Sequence, residues 1–214
     1  MAYDLEEQEK IDQIKNWWAR YGNLVTSILT ILAIAYLAYQ GWQWYENRQA
    51  RKALGYYDIV YSVSQNPNPQ QSDIQRLTEA LSVLKEDFSS SAYTDRATLI
   101  AGDIFYKTKD LKASRENLEW AISNSKDKGI VSSASLNLSA IYLSEGDKNK
   151  ARELLKNPAE SFVPLFKDRE ADILMAEGQR EQAFTIWKEL AKNKDLNPSF
   201  LEVINMKLKV YGAE

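Results

Sequence analysis

Apolar and polar positions follow two different rhythms along this chain. From Tyr21 to Tyr45 there is no charged residue, and the apolar heart of that stretch runs from Leu24 to Trp42. At ~1.5 Å per residue, a helix of that length covers roughly 29 Å, the thickness of a bilayer's hydrocarbon layer. Eight Leu, Ile and Val residues lie inside it, each contributing about −0.5 kcal/mol to insertion. Trp17, Trp18 and Tyr21 stand before the run, and Trp42, Trp44 and Tyr45 close it. Amphipathic rings at both ends form the aromatic belt of a membrane span. A buried core helix would not carry two such girdles. A cleaved signal peptide would be basic in front, whereas Asp4, Glu6, Glu7 and Glu9 precede this run. The pattern predicts a short tail over 1–20 and an uncleaved transmembrane anchor over 21–45.

Beyond the span the period stays near 3.6, and no alternating strand pattern occurs. Residues 46–65 continue as helix. The sequence N-P-N-P-Q-Q-S at 66–72 interrupts it, because proline removes a backbone donor and pushes its predecessor towards extended geometry. Asp73 is expected to cap a helix running to about Phe88. Segments beginning at Asp95, Ser132 and Pro164 then repeat one another, with offsets close to the ~34 residues of tetratricopeptide repeats. Small residues recur at step eight (Gly102, Ser139, Ala171) and step twenty (Ser114, Ala151, Ala183). Large apolar residues recur at step eleven (Phe105, Tyr142, Leu174) and step twenty-four (Leu118, Leu155, Trp187). Small pairs let antiparallel helices cross closely, and the large ones fill the space around the crossing. Gly146 and Gly178 supply the turn between helices, with Lys109 in that place in the first unit. The expected fold is all-α: a transmembrane helix and a tetratricopeptide-like solenoid over 46–214. Its units lie near 95–131, 132–163 and 164–197, with a degenerate pair at 46–88 and a cap at 198–211.

Composition narrows the function. The chain of 214 residues contains no His and no Cys. That excludes disulfides, Cys nucleophiles, Ser-His-Asp triads and Cys/His metal sites. The net charge of −3 leaves no basic footprint for nucleic acid. Asp168, Glu170 and Asp172 are the one carboxylate cluster of interest. At this spacing only Asp168 and Asp172 share a helix face, and the cluster reads as solvated. Lys107, Lys109 and Lys112 read as a solubilising patch. No enzyme activity, cofactor or metal is expected.

The order of parts resembles a known family. The acidic tail with D-Q-I-K-N-W-W-A-R-Y-G-N, the span, W-Q-W-Y-E-N-R-Q-A-R-K-A, the repeat D-I-F-Y-K-T-K-D-L-K-A-S-R-E-N-L and the terminal I-N-M-K-L-K are similar to the YfgM-type ancillary subunits of the bacterial SecYEG translocon. The resemblance implies an inner-membrane protein with a cytoplasmic N-terminus and periplasmic repeats. It further implies association with the translocon and with a PpiD-type periplasmic chaperone, and assistance to secreted clients. The flanking charges do not choose an orientation: Lys10, Lys15 and Arg20 precede the span, and Arg48, Arg51 and Lys52 follow it. A scaffold of another envelope or cytoplasmic-face complex, without a chaperone role, is the alternative.

In a solenoid the first helix of each pair lines the concave face. Steps two, five, nine and twelve point there: Arg96, Leu99, Asp103 and Tyr106; Ser133, Leu136, Ala140 and Leu143; Leu165, Asp168, Asp172 and Met175. Leu99, Asp103, Tyr106, Leu136, Ala140, Leu143, Asp172 and Met175 are therefore the candidate groove. Its mixture of Leu, Tyr, Met and acids suits an apolar segment that is also basic. The competing reading places its apolar members in the core between repeats.

Overall fold

The computed structural model describes residues 2–212, with side chains from Glu7 onward. Asp4 and Glu6 of the acidic tail lie outside the described side chains. No strand occurs among the described residues. The chain divides into two compact units between Arg51 and Lys52, a few residues beyond the end of the expected anchor.

Helix α1 runs Ala2–Ser64. The tail expected over 1–20 is thus helical from Ala2 and continues without a break into the span. Residues from Glu7 include an 18-residue window of mean hydropathy 1.6 that is almost entirely unburied by protein. The composition explains this: nothing in 2–64 removes a backbone donor, and Leu, Ile and Ala dominate the middle. Polar side chains in this stretch find partners on the same helix. Thr26 Oγ1 donates to the Gly22 carbonyl at 2.9 Å, and Thr30 Oγ1 to the Thr26 carbonyl at 2.8 Å. Gln40 Nε2 donates to Tyr36 Oη at 2.8 Å. In hydrocarbon, where water supplies no partners, such local bonds lower the cost of each polar group.

The second unit contains the end of α1 and the helices α2 (Gln71–Asp87), α3 (Ala92–Lys107), α4 (Leu111–Asn124), α5 (Lys128–Ser144), α6 (Lys148–Glu153), α7 (Val163–Ala176), α8 (Arg180–Lys192) and α9 (Pro198–Gly212). Asp73 works from inside the first turn of α2, where its carboxylate accepts the Gln70 backbone N–H at 3.0 Å. It does not stand ahead of the helix, because the helix already begins at Gln71. Side-chain caps start the later helices: Ser91 for α3, Asp110 for α4, Asp127 for α5 and Asp147 for α6.

Helices α3/α4, α5/α6 and α7/α8 form three antiparallel pairs. At the first crossing Ser114 Oγ donates to the Gly102 carbonyl at 2.6 Å. At the second the roles reverse, with Ser139 Oγ donating to the Ala151 carbonyl at 2.9 Å. Ala171 and Ala183 meet the third crossing with no accessible surface. A Cβ on Gly102 would sit 2.6 Å from Leu118 Cδ2, so this contact demands glycine unless Leu118 shifts. Each pair turns through one left-handed residue: Lys109 at φ 68°, Gly146 at 83° and Gly178 at 80°. The next residue's N–H reaches back to the last turn in all three, Asp110 to Phe105, Asp147 to Tyr142 and Gln179 to Leu174, each at 2.9 Å. This is the Schellman closure, built three times.

The second pair departs from the expected register. Helix α6 ends at Glu153, so Leu155 lies past its end and is only half-buried, whereas Leu118 and Trp187 are fully buried. Pro158 disfavours helix in the residue before it, and Asn157 turns to φ 52°. Neighbouring pairs are tied by a repeated ion pair that joins step twenty-one of one unit to step fourteen of the next. Arg115 meets Glu145, and Arg152 meets Glu177 at 2.8 Å. The core forms three clusters: around Leu77, Leu84 and Phe105; around Leu118, Leu138 and Ile141; and around Trp187 and Ile204.

Candidate protein-binding surface

The inner helices of the first two pairs enclose a cleft of about 170 Å³. Gly102, Leu118, Ala140 and Ile141 form its apolar part, and Asp103, Tyr106 and Asn137 its polar rim. Leu118 fills the space a side chain on Gly102 would take, and Ala140 opposite carries only a methyl group, so the cleft stays open above them. Asp103 is held by Lys107 at 2.6 Å on the outside of the rim. Such a cleft admits one aliphatic side chain, flanked by an exposed carboxylate, a phenol and an amide able to bond a peptide backbone.

Three of the candidate groove residues, Asp103, Tyr106 and Ala140, meet at this cleft. Leu99 packs instead against the Leu118–Leu138 cluster. Leu136 and Leu143 are half-buried on α5 and do not line it. Met175 packs onto the Trp187 cluster. The eight therefore do not form one continuous row.

Asp172 explains where the row stops. Lys207 of α9 bonds both Asp168 and Asp172, at 2.7 Å each. Trp187 Nε1 donates to Asp168 at 2.8 Å, and the Lys207 ammonium sits 5.5 Å from the Trp187 ring centroid. The solvated face expected for Asp168 and Asp172 is thus overturned: the Asp168 side chain is 15 % exposed. Helix α9 covers Asp168 and Asp172 with a half-buried charge cluster. Burial pushes the Asp172 carboxyl above the usual carboxylate range, against the pull of Lys207. Sequence reasoning missed Lys207, which pairs with residues more than thirty positions away. It also missed Lys85 on α2, which bonds Asn117 at 2.7 Å and lies 5.7 Å from the Trp120 ring centroid. Burial lowers the Lys85 pKa, and Glu116 partly restores it.

The six girdle residues on α1 are all exposed. Trp17 packs beside Trp18 and Tyr21, at centroid distances of 6.3 and 5.8 Å. Arg48 lies over Trp44 at 5.4 Å. No group of three His, Cys, Asp or Glu residues able to hold a metal occurs among the described residues.

Comparison with known proteins matches residues 15–212 to the family described as tetratricopeptide repeat-like domain. Three curated relatives are each named ancillary SecYEG translocon subunit. The protein from Neisseria gonorrhoeae is 26 % identical over 97 % of this chain and 98 % of its own. That from Haemophilus influenzae is 27 % identical over 86 % and 87 %. That from Aggregatibacter actinomycetemcomitans is 24 % identical over 90 % and 92 %. No solved structure matches.

Proposed function

We propose that this chain, which belongs to the tetratricopeptide repeat-like domain family, is a membrane-anchored protein-binding subunit that works beside the SecYEG translocon. The observation that carries this reading is the co-linear likeness to relatives of that name, which runs through the apolar helix and the repeats alike. The anchor holds the second unit at the membrane, the N-terminus lies in the cytoplasm, and the repeats face the periplasm. There the α3–α5 cleft takes single apolar side chains of emerging or partner chains. Apolar burial is non-directional, so one cleft serves many sequences. Tethering keeps the site at high local concentration, and weak affinity suffices. A PpiD-type periplasmic chaperone is the expected companion. The chain supplies a binding surface and catalyses nothing.

Cross-linking in native membranes, followed by identification of the attached proteins, tests the reading. Translocon subunits, a periplasmic chaperone and secreted chains are the expected partners. Partners confined to another complex would instead support a scaffold without a chaperone role. A reporter that works only in the cytoplasm, fused after residue 214, should be silent; activity there would overturn the topology.

A further inference from the structure

Among the described residues of the second unit, the two most exposed large apolar side chains, Val210 and Met206, lie on α9, with Val203 beside them. Val203 is 39 % exposed, Met206 55 % and Val210 66 %. Spacings of three and four place them on one stripe of the helix. A different face of α9, carrying Phe200, Ile204 and Leu208, is already packed on the Trp187 cluster. The last helix of a repeat array ordinarily turns a polar face outward, because nothing covers it. Here the outward stripe is apolar.

The repeat register shows which way it faces. Pro164 and Pro198 both open helices, 34 residues apart. Asp172, eight residues after Pro164, meets the following inner helix through Lys207. Met206 stands eight residues after Pro198. The stripe thus occupies the step of α9 that corresponds to the one by which α7 reaches α9, and no element follows α9 among the described residues.

The charges beside the stripe select an occupant. Glu202 and Lys209 are both exposed and lie seven residues apart, about two turns, on the same flank. We infer that this face pairs with the same face of a second copy, antiparallel, about a two-fold axis at Met206. That operation sets Met206 against Met206, Val203 against Val210, and Glu202 of each copy beside Lys209 of the other. A parallel pairing would place the Glu202–Lys209 flanks of the two copies on opposite sides of the seam, so neither charge would find its complement there. An isologous contact of this kind closes on itself and does not propagate. Three apolar side chains and two charges per copy are few beside the ~20–30 residues per side, roughly 800 Å², of stable interfaces. The pair therefore forms between chains concentrated by their membrane spans and comes apart on dilution in detergent.

The chain contains no cysteine, so a single introduced thiol reports the contact without background. Full-length Met206→Cys, oxidised in native membranes, should yield a disulfide-linked species of twice the 24.5 kDa chain mass. Lys188→Cys on the exposed side of α8 should remain monomeric. Adding Glu202→Lys to Met206→Cys should lower the linked fraction several-fold, and adding Lys209→Glu as well should restore it. All these positions are exposed, so folding is not at stake. A monomeric Met206→Cys, a link to a different protein, equal linkage from Lys188→Cys, or indifference to the charge reversals would each overturn the pairing.

Discussion

Ala140→Leu puts the cleft reading to its sharpest test. Ala140 is half-buried and lines the cleft of about 170 Å³ between α3 and α5. A leucine there grows into open space, so the protein escapes the ~1–3 kcal/mol cost of overpacking a filled core. The variant should melt within a few degrees of the parent. It does, however, occupy the room that a bound aliphatic side chain would use. Burying one such side chain contributes ~1.5–3 kcal/mol. The cleft is partly open, so the lower end applies, and at ~1.4 kcal/mol per decade the loss is about tenfold in Kd. The assay is fluorescence anisotropy of a labelled, permanently unfolded polypeptide titrated with parent and variant. Melting by circular dichroism runs in parallel. A variant that melts like the parent and binds within twofold of it would show that the cleft is not where chains are held.

Other consequences can be checked independently. Lys109→Gly should relieve the ~1–2 kcal/mol cost of a left-handed non-glycine residue, less ~0.4–1 kcal/mol for the freer unfolded chain. Denaturant unfolding of a 46–214 fragment should show net stabilisation, while glycine at Arg96 within α3 should destabilise; equal effects would refute the shared turn geometry. Asp172→Asn bears on pH. Burial raises the folded carboxyl above its ordinary value of 3.8, so any stability it lends is present below that pH and lost as pH rises through the folded value. The amide should therefore raise the melting temperature at pH 7, with the gain vanishing as pH falls towards 3.8; a pH-independent difference would contradict the burial argument. Ile31→Asp places a charge in mid-span at ~2.5–3.5 kcal/mol, against about 4 kcal/mol of aliphatic insertion energy. Carbonate extraction should release much of the variant; full retention would mean that the span alone does not hold the chain.

What was legible in the sequence was local or periodic. The uncharged run and its two aromatic girdles mark a span because length and hydropathy act through the solvent and need no tertiary partner. The small residues at Gly102, Ser139 and Ala171, and at Ser114, Ala151 and Ala183, show the helix crossings because close approach excludes anything larger. The equivalence of Lys109, Gly146 and Gly178 was visible because one turn geometry recurs at one step. The ion pairs Arg115–Glu145 and Arg152–Glu177 were also readable, since both acids and both arginines hold the same steps, but only to a search for charge at the repeat period. Other features depended on where distant elements come to rest. Two carboxylates on one helix face look solvated until α9 brings Lys207 over them. Leu99 and Met175 fit a concave row by spacing, yet the packing of neighbouring helices draws them into core clusters. The cleft itself depends on Leu118 packing flush onto Gly102 and on Ala140 carrying only a methyl group, and it is bounded by residues from three helices. Periodicity assigns a residue to a face, but only the docking of the next helix determines whether that face is covered.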